Sequence, residues 1–344
     1  MAYEQSAGEI GLCSHKEGLK MRKKYLAILL VVVFSGSQAL FGAAGTTSAT
    51  FLKIGIGAKN LAMGGVGATE QDADAIYYNP AGLAFIDQNE ISVMHLQWFA
   101  DINYDYLAFA MPYKKWGFAA SYYNLSVGAI QSYDVNDNLL PNSYSPVDSC
   151  GSLAASVRLK DNLSCGLTVK YINSSIAGIG AATAAADTGI MLTGKSFDCG
   201  ASVQNLGGTL KYVQTQEYLP LNLKVGAAYH GDPKKKITPK FYADVNQGIE
   251  TEAYVSGGTE VDFHFSENLE AALRCGYKSM GQDYGVSGFS AGGGLTINKN
   301  INLDLAWIPY GDFGDTYAVS LIIKFEEILK TFDHKNWSKD KFLN

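Results

Sequence analysis

The sequence predicts an all-β fold, a transmembrane antiparallel β-barrel of about fourteen strands with an N-terminal plug segment inside it. Two observations predict this fold. From residue 88 onward, apolar and polar side chains alternate in repeated runs with turn signals between them. A secretory leader precedes these runs, and after residue 44 no apolar stretch is long enough for a spanning helix. A mature chain that enters a membrane must then cross it as a barrel.

The leader sets the first domain boundaries. Residues 21–24 are basic, residues 25–34 are apolar and small residues follow up to Ala44, which is the order of a secretory signal. We therefore predict a signal peptide at 21–44, and we assign no structural role to residues 1–20, an extension or a mis-called start. The mature chain then divides into an N-terminal segment at 45–87, a barrel at 88–325 and a periplasmic tail at 326–344.

The run from residue 268 to 278 shows the alternation clearly. Leu273 lies on a face without charges, whereas Glu270, Arg274 and Lys278 share the opposite face. A charge facing lipid at mid-membrane costs about 2–4 kcal/mol, so we assign the apolar face to lipid and the polar face to the lumen. The same pattern predicts strands near 89–99, 102–112, 115–127, 148–159, 163–175, 185–193, 196–206, 218–230, 237–247, 251–263, 268–278, 285–297, 301–309 and 315–325. The alanine-rich stretch at 177–186 instead suggests a short helix.

Charged residues make up 17% of the chain, and the net charge is -6. This balance argues against nucleic acid as a partner, because phosphate binding requires clustered Lys and Arg. Charges at lumen-facing positions are expected to form ion pairs that hold the N-terminal segment to the barrel wall. The candidate lumen cations are Lys170, Lys224, Arg274 and Lys278, and the candidate anions are Asp244, Glu252, Glu260, Asp262, Glu270 and Asp304.

Residues 51–86 lack the alternation and are rich in glycine. Gly64 and Gly65 allow tight backbone packing and positive φ angles. Asp72 is suited to cap a short turn over residues 73–77, which contains Asp74. The run Asn79-Pro80-Ala81 predicts a second capped turn, with Asn79 as the cap and Pro80 at the first helical position. The GxxxxGK[ST] pattern of a phosphate-binding loop is absent.

These motifs together resemble the opening of the PorV/PorQ family, which is related to FadL-type outer-membrane transporters. Further similarity at residues 203–208, 219–226 and 310–316 extends the resemblance over roughly residues 50–325. It implies a fourteen-stranded barrel in the outer membrane of a Gram-negative-type bacterium, with the N-terminal segment held in the lumen as a hatch. Phe325, the aromatic end of the last strand, resembles the signal read by the barrel assembly machinery, although residues 326–344 follow it.

The resemblance implies two alternative functions. PorV-like proteins receive exported proteins in type IX secretion and carry them to an attachment machine, which implies exported proteins or a secretion complex as partners. FadL-like proteins pass hydrophobic molecules, which implies a hydrophobic ligand in the lumen. We expect the long connections at 128–147 and 207–217 to lie outside. There, apolar and aromatic residues either dock a partner or pack on one another; they are Leu139, Leu140, Tyr144, Leu210 and Tyr212.

We predict a non-enzymatic protein without a metal or cofactor, in contact with outer-membrane lipid. The sequence has no Gly-x-Ser-x-Gly motif, no histidines at metal-ligand spacing and no CxxC pair. His95 and His230 lie on predicted strands as interior or girdle residues. Cys165, Cys199 and Cys275 fall on lipid-facing positions as small apolar residues, and a disulfide between strands is left open.

Overall fold

Fourteen of the eighteen strands among the described residues form one closed antiparallel barrel, which confirms the predicted barrel fold. The structure is a computed structural model that describes residues 47–98, 101–212, 215–279 and 288–326. The predicted leader, the extension at 1–20, the tail after Glu326 and the first residues of the strand expected at 285–297 lie outside the described residues. The strands are β1 Asn89–Gln97, β2 Ile102–Tyr113, β3 Trp116–Val127, β4 Ile130–Tyr133, β5 Leu139–Tyr144, β6 Val147–Lys160, β7 Leu163–Ile176, β8 Ile179–Leu192, β9 Phe197–Gly207, β10 Thr209–Tyr212, β11 Thr215–Tyr218, β12 Asn222–His230, β13 Ile237–Gly248, β14 Tyr254–Ser266, β15 Leu269–Lys278, β16 Phe289–Ile297, β17 Ile301–Pro309 and β18 Asp315–Phe325.

The barrel closes where β1 pairs with β18, with Asn89 opposite Phe325. Strands β4 and β5 form a separate hairpin between β3 and β6, and β10 pairs with β11 between β9 and β12. Because successive barrel strands are antiparallel, both hairpins leave the barrel at the end opposite Asn89 and Phe325. We call this the loop end and the other the turn end. Barrels of this class carry long connections outside the cell and short turns in the periplasm, so we expect the loop end to be the outer end.

Burial alternates along each barrel strand as the sequence predicts. Leu273 is 62% exposed on the outside of the barrel. The next side chain, Arg274, is only 8% exposed and points inward. Inward positions carry buried charged, hydroxyl, amide and small residues, while exposed Leu, Val, Ile and aromatic residues cover the outside. Polar residues inside and apolar residues outside reverse the arrangement of a water-soluble barrel, as expected for a barrel surrounded by lipid.

The helix expected at 177–186 is wrong. Residues Ile179–Leu192 form β8, which pairs with β7 along its whole length, from Ile176 opposite Ile179 to Leu163 opposite Leu192. Ala177 and Gly178 make the turn, with φ angles of 50° and 82°. Positive φ at both central residues is the geometry that joins two strands in a tight hairpin. Pairing with β7 therefore overrides the helical propensity of the alanines.

The N-terminal segment consists of short helices joined by irregular chain. Thr50–Lys53 and Pro80–Phe85 are 3-10 helices, and Ala58–Ala62 and Ala75–Tyr78 are short α-helices. Its apolar side chains form the main hydrophobic cluster with inward-facing residues of β1–β3, among them Tyr104 and Tyr123. No helix among the described residues is long and apolar enough to cross a membrane.

Candidate functional site: the barrel interior

The irregular backbone at residues 47–86, which we call the hatch, makes hydrogen bonds to inward-facing side chains of the barrel wall. Such a segment has few internal backbone partners, so its buried N–H and C=O groups need partners elsewhere. Side chains on β6, β7 and β9 donate to hatch carbonyls. These bonds join Arg158 Nη2 to Ala84 (2.7 Å), Ser164 Oγ to Ala81 (2.8 Å), Thr168 Oγ1 to Ile76 (3.2 Å), Ser202 Oγ to Tyr78 (2.9 Å) and Gln204 Nε2 to Tyr77 (2.8 Å).

Side chains on other strands accept from the hatch backbone. Asp244 Oδ2 on β13 accepts from the N–H groups of Gly67 at 2.7 Å and Ala68 at 3.0 Å. On the closing strands, Glu90 Oε2 accepts from Ala73 at 2.7 Å. Ser290 on β16 and Ser320 on β18 act in the same way, accepting from Gly64 at 3.0 Å and Ala58 at 3.1 Å. The hatch is therefore bonded to strands all around the barrel.

Glycines on the inner wall let the hatch backbone approach closely. A Cβ atom built on Gly276 would lie 2.5 Å from Met63 Cα, inside van der Waals contact. Cβ atoms on Gly117, Gly166 and Gly200 would likewise collide with hatch backbone atoms. These glycines therefore form a row of close contacts between the inner wall and the hatch.

The hatch motif residues make local bonds that fix its shape. Asn79 accepts from Ala81 N through Oδ1 at 3.2 Å, with Pro80 at the first position, as the sequence predicts. Its Nδ2 also donates to Ala68 O at 2.7 Å, which joins two parts of the hatch. Gly64 and Gly65 both have a φ of 77°, a conformation that favours glycine.

Asp72 and Asp74 lie buried at the start of the third helix of the hatch. Asp72 Oδ1 accepts from the backbone N–H of Asp74 at 2.9 Å, and Lys59 Nζ pairs with Asp72 at 2.6 Å and with Glu70 at 2.7 Å. Asp72 thus organises the turn from two residues away, while the side chain of Asp74 at the N-cap makes no capping hydrogen bond with the helix. Burial and the nearby charge of Asp72 raise the pKa of Asp74 well above its usual range.

The predicted lumen charges form ion pairs along the wall. Lys170 pairs with Asp187 at 2.6 Å, and Lys224 with Asp244 at 3.3 Å. Arg274 contacts Glu260 and also pairs with Asp304 at 2.6 Å. Lys240 completes this network with bonds of 2.7 Å to Glu260 and to Asp262. Sequence reasoning missed Asp187 and Lys240, although their inward register position was a signal that alternation alone could have supplied.

Three other predicted positions have different surroundings. Glu270 is half-buried and pairs with His264 at 2.7 Å. Glu252 is exposed in the connection between β13 and β14, so its prediction as a lumen anion is wrong. The reason is that β14 begins at Tyr254 rather than at 251. Phe325 ends β18 with its ring 6.4 Å from that of Phe109, and its role as an assembly signal stays a prediction.

The two histidines predicted on strands differ in environment. His230 faces the interior and contacts Asp198 at 2.8 Å. His95 points outward and pairs with Asp105 at 2.7 Å, with both side chains more than half exposed. Cys275 is exposed, Cys165 and Cys199 are partly buried, and all are free thiols.

A cavity of about 420 Å³ lies between the hatch and the loop end of the wall. We call it the outer cavity. Hatch residues such as Lys53 and Tyr78 line one side, and Lys224, Asn246 and Lys278 of the wall line the other. A second cavity of about 320 Å³ lies toward the turn end, and within the described ranges the two cavities share no lining residue. Residues of the hatch line both.

The β4–β5 hairpin at the loop end exposes apolar side chains. Val135 is fully exposed, and Tyr133 and Leu139 are each 61% exposed. The turn between the strands is ordered, since Asp134 Oδ1 accepts from the N–H groups of Asn136 at 2.8 Å and Asn138 at 2.9 Å. Hydrogen bonds, first from the Asn138 side chain, lower the pKa of Asp134.

The five apolar and aromatic residues predicted in the long connections differ in their exposure. Leu139 and Leu140 are exposed, whereas Leu210 on β10 is fully buried and packs in the hydrophobic cluster. Tyr144 and Tyr212 are partly buried. Of these five residues, the two exposed ones therefore lie on the β4–β5 hairpin.

Residues 41–247 match the family model described as "Type IX secretion system protein PorV". Several solved barrels share the fold. The Ralstonia pickettii toluene transporter TbuX is 14% identical, with a TM-score of 0.56 over 78% of this chain and 97% of that chain. The monoaromatic hydrocarbon channel CymD is 11% identical, with a TM-score of 0.58 over 80% and 98%. The Pseudomonas putida toluene transporter TodX is 12% identical, with a TM-score of 0.55 over 79% and 99%. No curated protein matches the sequence.

Proposed function

The chain belongs to the PorV family of outer-membrane β-barrels, and from this premise we propose that it binds exported proteins at the outer face of the membrane for a type IX secretion or attachment complex. The protein is located in the outer membrane of a Gram-negative-type bacterium. Its proposed working surface is the loop end, where the β4–β5 hairpin and the mouth of the outer cavity lie.

The exposed hairpin is the observation that carries this proposal. Tyr133, Val135 and Leu139 present apolar groups on a connection beyond the barrel strands. Contiguous apolar surface in an aqueous setting marks a site for a partner. The ordered turn from Asp134 to Asn138 presents these groups in a fixed arrangement, which lowers the entropy lost when a partner docks.

The hatch supports binding over conduction. We infer that residues 45–87 close the lumen, because bonds to β1, β6, β7, β9, β13, β16 and β18 hold the described part of this segment to the wall. The two cavities on either side of the hatch share no lining residue among those that the structure describes. A closed barrel that works at its outer surface needs no path for ions or solutes.

Transport of hydrophobic small molecules is the alternative function. The shared fold with the hydrocarbon transporters TbuX and TodX favours it, as does the aromatic lining of the outer cavity. We propose a non-enzymatic role in either case. Among the described residues no group of three or more His, Cys, Asp and Glu side chains is placed to hold a metal ion.

The test is capture of partners from native outer membranes with the tagged full chain in mild detergent, followed by mass spectrometry of proteins and lipids. We expect exported proteins to co-purify with the wild type. The double variant Tyr133→Ser/Leu139→Ser should lose them by tenfold or more, since each buried apolar side chain contributes roughly 1.5–3 kcal/mol. The matched control is Asn142→Ser, which changes an exposed polar residue on the same hairpin.

Equal capture by the double variant and the control would contradict the role of the hairpin. A stoichiometric apolar small molecule with no protein partner would contradict the protein-binding function and support transport.

A further inference from the structure

We propose that the outer cavity binds a carboxylate group and that Lys278 is the cation that recognises it. This inference deepens the proposed function. It rests on that function because it takes ligands to reach the outer cavity from the loop end. Lys278 is the last residue of β15, at that end of the barrel. Its half-buried side chain lines the cavity together with Lys53 and Lys224.

The other two lysines of the cavity already have carboxylate partners. Lys53 Nζ lies 2.5 Å from Glu250 Oε1, and Lys224 Nζ lies 3.3 Å from Asp244 Oδ2. Asp244 Oδ2 also accepts from the backbone N–H groups of Gly67 and Ala68, so its remaining capacity is small. Three lysines therefore face two carboxylates, which leaves one positive charge in the cavity.

That charge is on Lys278. Within the described residues its ammonium group has no ion pair, and its contact is with the ring of Tyr254, 5.0 Å from the centroid. An aromatic face attracts a cation but does not neutralise it. A cation held away from bulk water is normally paired, because losing hydration disfavours the charged form. The cavity thus lacks one anion.

A second group in the same cavity also lacks a partner. Asn246 is 1% exposed, and its Nδ2 atom is a buried donor that forms no hydrogen bond with the part of the chain that the structure describes. Asn246 lies opposite Tyr254 in the pairing of β13 with β14, so Asn246 and Lys278 are both next to the same tyrosine. Buried donors rarely stay unpaired in native structures, and such exceptions point to a missing partner.

These two groups define the chemistry of the ligand. An ammonium group is a donor only, and the free amide nitrogen is also a donor, so the ligand group must be an acceptor with negative charge. One unpaired positive charge matches a single negative charge, and a carboxylate has one charge on two acceptor oxygens. The tyrosine-lined walls at Tyr77, Tyr78 and Tyr310 suit an apolar body attached to it. Either the C terminus or an acidic side chain of a polypeptide, or a fatty acid, carries such a group.

Calorimetric titration of the purified full chain in lipid nanodiscs tests the inference with two matched probe pairs. They are N-acetyl-trivaline as free acid and as amide, and decanoate with decanamide. We expect at least one acid to bind the wild type about tenfold to a hundredfold more tightly than its amide. Lys278→Gln should remove this preference, and Lys278→Arg should retain it. Lys211→Gln, an exposed lysine of the loop-end hairpin β10–β11, is the control and should bind like the wild type.

A preference for the peptide acid identifies a polypeptide carboxylate as the source, and a preference for decanoate identifies an amphiphile. Equal affinities of acid and amide in both pairs would overturn the proposal, as would a preference that survives in Lys278→Gln. If Lys278→Gln fails to fold, the comparison of acid with amide binding to the wild type decides the test by itself. Carboxylate binding without capture of exported proteins would contradict only the proposed function, and capture without carboxylate preference would contradict only this inference.

Discussion

Replacing Gly276 by alanine would place a methyl group within the space that the hatch backbone occupies. The built Cβ atom lies 2.5 Å from Met63 Cα and also collides with Met63 C and Gly64 N. Carbon atoms in favourable contact are about 3.5–4.0 Å apart, so the hatch must retreat by roughly 1 Å or more. All three neighbours are backbone atoms, and no side-chain rotation can relieve the overlap.

The expected cost is about 1–3 kcal/mol, the usual range for overpacking a close contact. Retreat of the hatch also strains the nearby bond from Gly64 N to Ser290 Oγ. Gly257→Ala is the matched control, because its Cβ would meet only Tyr242 O, at 3.9 Å. Where a methyl group fits, Gly→Ala stabilises by about 0.4–1 kcal/mol through the unfolded state.

Urea unfolding in detergent, followed by the heat-modifiable mobility of the folded barrel, gives the free energy of unfolding. Ion leakage in a planar bilayer reports loosening of the hatch. We expect Gly276→Ala to unfold at lower urea and to leak, and Gly257→Ala to do neither. Equal midpoints and equally low leakage for the two variants would refute the close packing of hatch against wall.

Two further predictions concern the wall. Leu273→Arg puts a charge on the lipid face at a cost of about 2–4 kcal/mol and should lower the yield of membrane-assembled barrel, while Ala272→Ser on the inner face should be milder. Equal damage would contradict the assignment of faces. Arg274→Gln removes a cation from buried Glu260 and Asp304 and should destabilise by about 3–5 kcal/mol in the same urea assay. An unchanged urea midpoint would show that this network contributes nothing to stability.

The strands of the barrel could be predicted because a single local rule determines them. One-residue alternation between lipid and lumen identifies each strand and its faces, and Leu273 and Arg274 lie as that rule requires. The rule failed at residues 181–186, where alanines carry no contrast between the faces. Pairing with β7 determines the structure there, and that contact is not local in sequence.

The site was less predictable because it depends on which charges meet. Alternation placed Lys224, Arg274 and Lys278 on the lumen side. It gave no indication that Arg274 shares two carboxylates while Lys278 has none among the described residues. Partners come from strands far apart in sequence, such as Asp304 for Arg274. The same limit explains His95, whose outward partner Asp105 follows from the register of β1 with β2.

Conductance in a planar bilayer tests the central claim most directly, that this barrel is closed by its hatch and binds rather than conducts. The comparison is between the full chain and a chain lacking residues 51–86. We predict no resolved ion current for the full chain and open-pore currents for the deletion, at equal amounts of folded barrel. A full chain that conducts as well as the deletion, or a deletion that stays closed, would contradict the account.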